Sequence, residues 1–267
     1  MNSVPISYLG VWQRRLLTTA KGARDDRSTV FWLQTPLLHG DLRLPALAYP
    51  EVASLEECSS EQMLLLSEQS GFAGLTQVED DLCYWHRLID YQPVGGTADI
   101  GEMRFDGADR LIETALDGSY QETWERLPHS LGINWGQWLR PADESARNAC
   151  LLVAGDCFLF AAGRPVGLRR GGQLREHIAA ASPARQLALM AFELSFGRIA
   201  GAGEPWQITH SSLPGRAGQA LLPANCRADS AETIGAEPIA RLGSYPPAGG
   251  WVCVPTPDFI APQETPP

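Results

Sequence analysis

The residues best able to do chemistry in this chain are three glutamates that hairpin geometry sets side by side. Asp117-Gly118 lies between two alternating segments and reads as a two-residue type I′ turn. That turn pairs Glu113 with Glu122, Leu111 with Trp124 and Ala115 with Tyr120. A four-residue loop over Asp106–Asp109 then pairs Glu102 with Glu113 and Arg104 with Leu111. The outcome is a row of glutamates across three adjacent strands, with Arg104, Tyr120 and Trp124 beside it. Directly opposed side chains have Cβ atoms ~4.5–5.5 Å apart, and like charges there repel. On an outer face, water and Arg104 would relieve the repulsion. In a barrel interior, desolvation would raise at least one carboxyl pKa. A protonated glutamate beside an ionised one can serve as acid and base, or can hold a cationic or hydroxylated ligand. Glu113 and Glu122 are therefore the candidate catalytic residues. Glu102, Arg104, Tyr120 and Trp124 are candidate ligand contacts. A glycine bulge at Gly118 would instead set Glu122 opposite Ile112.

Two further groups lie on strands. In Leu82–Asp90, the residues Leu82, Tyr84, His86, Leu88 and Asp90 share one face, and Cys83, Trp85, Arg87 and Ile89 the other. His86 and Asp90 are ~13 Å apart along a strand, too far for a direct pair. His86, bracketed by aromatic and aliphatic residues, is the histidine expected near a cavity, with a satisfied structural role as the plain alternative. Asp41 and Arg43 share a face ~6.6 Å apart. They suit an ion pair, or a carboxylate-binding arginine at Arg43.

Other chemistry is missing its residues. Lys21 is the sole lysine among 21 basic residues; Gly22 follows it, and the polar run Lys21–Ser28 surrounds it. P-loop and Schiff-base chemistry are thereby excluded. There is no Gly-x-Ser-x-Gly, no His-Glu-x-x-His and no dinucleotide glycine motif. The six cysteines show no metal-ligand spacing, and three lie in apolar runs; no metal site is expected, and a reduced, cytoplasmic protein is. A net charge of -10 without basic clusters argues against nucleic acid and anionic membranes as partners. No apolar run approaches the ~20 residues of a spanning helix.

The elements that must position these residues are short alternating segments broken by turns, which predicts an all-β, antiparallel barrel architecture with one or two short helices. Candidate strands include Tyr8–Thr18, Thr29–Thr35, Gly71–Val78, Ala98–Phe105, Ala149–Ala154 and Cys157–Ala162. Leu55–Ser70 has helical spacing, and Ser182-Pro183 opens a second helix. The predicted organisation is a barrel half over 5–130, a connector over 131–145, a second β half over 146–254 and a tail over 255–267.

The first strand reads Tyr8-Leu9-Gly10-Val11-Trp12. This Gly-x-Trp resembles the calycin superfamily of lipocalins, fatty-acid-binding proteins and nitrobindin-like barrels. The resemblance implies that Trp12 closes a barrel floor under an arginine from a late strand, for which Arg126 and Arg198 are candidates. The length, with Thr29–Thr35 followed by Asp41-Leu-Arg-Leu44, is also similar to a yeast family in which two calycin-like barrels form one protein. The expected function is binding of a small, partly apolar ligand in a cavity supplied by His86, Arg43 and the glutamate row. The alternatives are an acid–base enzyme of isomerase or hydrolase class on the same face, and an interaction protein with filled barrels and exposed Trp135 and Trp138. No cofactor is expected. Haem is the alternative that nitrobindin-like barrels suggest, with His210 considered as ligand, though no local motif singles it out. The oligomeric state is left open.

Overall fold

The computed structural model describes residues 3–95, 98–143, 146–201 and 203–257. It consists of two antiparallel sheets. The first contains β1 (Gly10–Thr19), β2 (Arg24–Asp25), β3 (Thr29–Gln34), β4 (Leu38–Leu44), β5 (Ser70–Glu79), β6 (Leu82–Asp90), β7 (Asp99–Phe105), β8 (Arg110–Ala115) and β9 (Tyr120–Arg126). Strand β9 pairs back onto β1, so eight strands close into a barrel and β2 is a short flap on β1. Closure removes the free edges that an open sheet would present.

Alternation decides what enters the barrel. Trp12, Trp32, Phe72, Cys83, Trp85, Met103, Leu111 and Trp124 form the interior apolar cluster. Their neighbours Val11, Phe31, Leu33, Leu38, Leu42, Ala73 and Leu75 point outward, yet they too are buried. They pack against the second sheet, which explains why β3 is apolar at nearly every position. At Gly40 of β4 the sheets approach so closely that a Cβ would lie 2.5 Å from Leu159 Cδ2.

One end of the barrel is sealed. A 3-10 turn over Ile6–Tyr8 crosses it, and Trp12 Nε1 donates to the Tyr8 carbonyl at 2.8 Å. The Arg126 guanidinium lies 4.4 Å over the Trp12 ring and donates to the carbonyls of Ser7, Leu9 and Ala108. Of the two candidate covering arginines, Arg126 is the one in place.

The second sheet contains β10 (Asn134–Pro141), β11 (Ala149–Ala154), β12 (Cys157–Ala162), β13 (Glu193–Ile199), β14 (Trp206–Ser211), β15 (Ala220–Leu222) and β16 (Trp251–Val254), in the order β15-β14-β13-β12-β11-β10-β16. It is a half-barrel. One face packs on the first barrel through Cys150, Leu152, Leu159 and Phe196. The other face, with Leu151, Val153, Phe158 and Phe160, is covered by the chain's own late segment, including Ile234, Ile239 and Leu242. Three indoles hold that cover. Trp135, Trp206 and Trp251 each donate to one of its backbone carbonyls, at Ala228, Cys226 and Leu242.

Three expectations need adjustment. Five short helices are present among the described residues, not one or two: α1 (Ser60–Leu66), α2 (Leu174–Ala179), α3 (Pro183–Met190), α4 (Ala231–Ile234) and α5 (Ala236–Ala240). Segments of four to eight residues are too short to display a helical period. Leu55–Ser70 is split into a 3-10 turn over Leu55–Glu57 and α1. Residues 134–141, expected within a connector, form β10, because Trp138 and Leu139 are buried on opposite faces of the sheet. Of the expected tail, residues 258–267 lie outside the described residues.

Candidate functional site

Inside the barrel, towards the end opposite Trp12, is a cavity of about 320 Å³. Its apolar walls are Leu17, Trp32, Phe72, Trp85 and Trp124, and its polar groups are Asp41, Arg43, Arg87, Asp99, Glu113, Tyr120 and Glu122. Side-chain exposure rises from Glu122 and Asp41 (1 % and 2 %) through Asp99 (21 %) to Arg43 and Arg87 (27 % and 34 %). The carboxylates Asp41 and Glu122 thus lie deep, and the two arginines stand at the mouth.

The glutamate pair is present. Glu113 on β8 and Glu122 on β9 are direct register partners, and both are almost wholly buried. Glu113 accepts hydrogen bonds from Tyr120 Oη at 2.9 Å and from Trp124 Nε1 at 3.1 Å. Glu122 Oε1 accepts from Arg14 at 2.6 Å and Arg43 at 3.3 Å. Glu122 Oε2 is buried and has no protein partner. Arg43 also forks onto Asp41, at 2.7 and 3.1 Å. Arg14 also reaches Asp25, and Arg87 reaches Asp99 and Asp90 while lying 3.6 Å over the Phe72 ring.

These surroundings separate the two glutamates chemically. Burial, followed by repulsion from Glu122, pushes the Glu113 carboxyl up to about 8, against the pull of Arg43 and the Tyr120 hydroxyl. Burial also raises Asp41, opposed by Arg43. The Tyr120 phenol is raised by burial and by Glu113. A carboxyl largely protonated near neutrality therefore faces a carboxylate clamped by two guanidinium groups.

The register explains which expected residues reach the cavity. Arg43, Glu113, Tyr120, Glu122 and Trp124 line it; Glu102, Arg104 and His86 do not. Glu113 is opposite Met103, and Glu102 is opposite Thr114, one residue off the expected pairing. The cause is a three-residue loop in place of four. Asp106 N donates to Arg110 O, with Gly107 in the positive-φ region. A one-residue slip turns every side chain of a strand to the other face, so Glu102 and Arg104 are exposed on the outside. The β8–β9 connection is a four-residue loop, not a two-residue one. Only Gly118 of its central pair has positive φ. Both loops imply the same pairing further along, so the Glu113–Glu122 register holds.

His86 sits on the outer face of β6, within 3.4 Å of Gln77, and Trp85 and Arg87 point inward instead. His210 is on β14 of the other sheet, against Phe31 and Phe196. Trp138 is buried and Trp135 is partly buried under its own chain, so neither forms an exposed indole surface. Arg14, Arg87, Asp99 and Phe72 reach the site without any signal in the sequence that marks them.

A second interior polar cluster is equally silent in the sequence. Gln34 Oε1 accepts from Trp32 Nε1 and Thr76 Oγ1, and His39 Nδ1 bonds Thr76 Oγ1 at 3.0 Å. Since Thr76 gives its only proton to Gln34, His39 Nδ1 must be the donor. Burial pushes the His39 imidazole down to about 3, which keeps it neutral.

A closed eight-stranded antiparallel barrel, its floor tryptophan covered by an arginine of the last strand, is a calycin-like barrel. The chain couples it to a half-barrel of similar strand rhythm. No family model matches the sequence, and no curated protein matches it. Two solved structures are similar. A lipocalin-like protein from Bacteroides uniformis shares 10% identity, covering 45% of this chain and 99% of that one, with a TM-score of 0.31. The uncharacterized protein YLR301w from Saccharomyces cerevisiae shares 12% identity over 84% of this chain and 90% of its own, with a TM-score of 0.50. The likeness to the yeast protein extends over most of the chain, and it is one of fold. Among the described residues, no helix is long and apolar enough to cross a membrane.

Proposed function

We propose that this protein binds a small molecule inside its first barrel. The observation that carries the reading is Glu122 Oε2, a buried carboxylate oxygen with no protein partner beside a cavity. Leaving such an atom unpaired costs about 1–3 kcal/mol or more for a charged group, which a ligand would recover. Aromatic walls beside seven polar groups suit a ligand with both apolar and polar parts, and about 320 Å³ is at the small end for ligand pockets. The six unpaired cysteines are in keeping with a cytoplasmic setting.

Native mass spectrometry of the purified protein, joined to a thermal-shift screen of small metabolites, tests the reading. The expected result is a retained small molecule, or a compound that raises Tm in the wild type but not in Trp124→Ala. A protein that retains nothing and whose Tm no compound raises would overturn it.

A second reading is favoured by one observation, the opposition of a raised Glu113 to the clamped Glu122. Such a pair can donate and accept protons at one substrate, such as a sugar or ketone, in an isomerisation or hydrolysis. Under that reading Glu113→Gln retains ligand binding and loses turnover. Under the binding reading no turnover exists to be lost.

A further inference from the structure

The cavity's charges are paired unevenly, and the imbalance specifies a ligand. Every guanidinium at the site is already occupied by carboxylate. Arg43 holds Asp41 and Glu122, Arg87 holds Asp99 and Asp90, and Arg14 holds Asp25 and Glu122. An anionic ligand would meet guanidinium groups whose charge these carboxylates already offset. The carboxyl groups, by contrast, are in surplus. Four of them line the cavity against two guanidinium groups, and one buried carboxylate oxygen, Glu122 Oε2, lacks a donor.

The walls add a second, independent condition. Phe72, Trp32, Trp85 and Trp124 enclose the space, and two of their rings already face cations: Arg87 over Phe72 at 3.6 Å, and Arg43 at 5.8 Å from Trp124. Aromatic faces attract positive charge, most strongly where water is excluded. A flat cation with several N–H donors meets both conditions, whereas a neutral apolar ligand leaves Glu122 Oε2 unpaired.

Resting on the small-molecule reading above, we infer that the barrel cavity takes a small organic cation with a planar apolar body, its N–H donors reaching Glu122 Oε2 and the Glu113 carboxyl. The groups facing Glu113 are Glu122 and Tyr120 on β9, Arg43 and Asp41 on β4, Asp99 on β7 and Cys83 on β6. A bound positive charge favours the ionised form of Glu113, so binding releases a proton when the site starts protonated. Affinity then rises with pH from 6 and levels off above about 8.

The test uses benzamidine, benzamide and benzoate, which have closely similar shapes and carry positive, zero and negative charge. The readout is the Trp124 indole N–H resonance of the full-length ¹⁵N-labelled protein, since that proton is bonded to Glu113. The expected result at pH 8.5 is that benzamidine shifts this resonance and binds at least about tenfold tighter than the other two, an advantage of about 1.4 kcal/mol. Its affinity falls towards pH 6, and Glu122→Gln removes the preference. If that variant does not fold, the wild-type pH profile and proton release in two calorimetry buffers decide the same question. Benzamide or benzoate shifting Trp124 as strongly as benzamidine, or more so, would overturn the cation inference and leave the small-molecule reading intact. Silence from all three would also overturn it, while the metabolite screen decides the broader reading separately.

Discussion

The two sheets use the same strand rhythm and treat their concave faces in opposite ways. The first closes on itself, seals one end with Trp12 and Arg126, and keeps a charged cavity at the other. The second remains open and is filled by its own chain, with Trp135, Trp206 and Trp251 donating to the backbone that covers them. The first region buries two glutamates, Glu113 and Glu122, and the second buries Glu193. Glu193 of the second accepts bonds on both oxygens, from Ser195, Arg216 and Ser244. Glu122 of the first has one oxygen doubly clamped and the other bare. A satisfied buried carboxylate holds structure together, whereas one with a bare oxygen beside a cavity is where we propose a ligand pairs.

Four measurements would break or sharpen this contrast. The largest effect concerns pH. Glu113 has an ordinary value of 4.5 when unfolded and about 8 when folded, so the native state binds the extra proton between those limits. The contribution of Glu113 to stability is then fully present below 4.5 and is lost as pH rises to about 8, on the order of 5 kcal/mol. Urea titrations across that range should show the decline in wild type and a much flatter profile in Glu113→Gln. Equal slopes would remove Glu113 as the special group of the first barrel.

Phenylalanine truncation comes next. Phe160→Ala in the filled half-barrel opens a void in close packing and should cost about 3–5 kcal/mol. Phe72→Ala only enlarges an existing cavity, so its cost should be smaller by about 1 kcal/mol or more, read by the same urea midpoints. The glutamates should diverge in the same way. Glu193→Ala strands Arg216 and should cost about 3 kcal/mol. Glu122→Gln leaves Arg14 with Asp25 and Arg43 with Asp41, and should cost roughly 1–2 kcal/mol. Similar losses would mean that Glu122 is structural too. The smallest effect is Arg126→Ala, about 1–2 kcal/mol from the lost ring contact and carbonyl bonds. It should lower Tm without altering the Trp124 indole resonance, because it acts at the sealed end.

How far the site could be read from sequence depended on loop length. Glu113 facing Glu122 was legible, since two different loops at Gly118 lead to one register. Glu102 and Arg104 were misplaced, since the loop at Gly107 is one residue shorter than its polar composition suggests. On β6 the alternation was clear, but which face turned inward was not, and the inward places expected for His86 belong to Trp85 and Arg87. Arg14 and Arg87 reach the site with no motif that marks them.

Alternation and turn residues were enough to specify an antiparallel all-β chain, because side-chain period and turn chemistry are local properties, and the barrel was what the resemblance at Gly10-x-Trp12 implied. The excess of carboxylates was equally visible as charge. Folding alone decided that β9 returns to β1, that residues after Cys226 fill the second sheet, and that Arg14, Arg43 and Glu122 meet. Those contacts join residues far apart in the chain. Their energies come from burial and charge pairing in a shared interior, which no local pattern encodes.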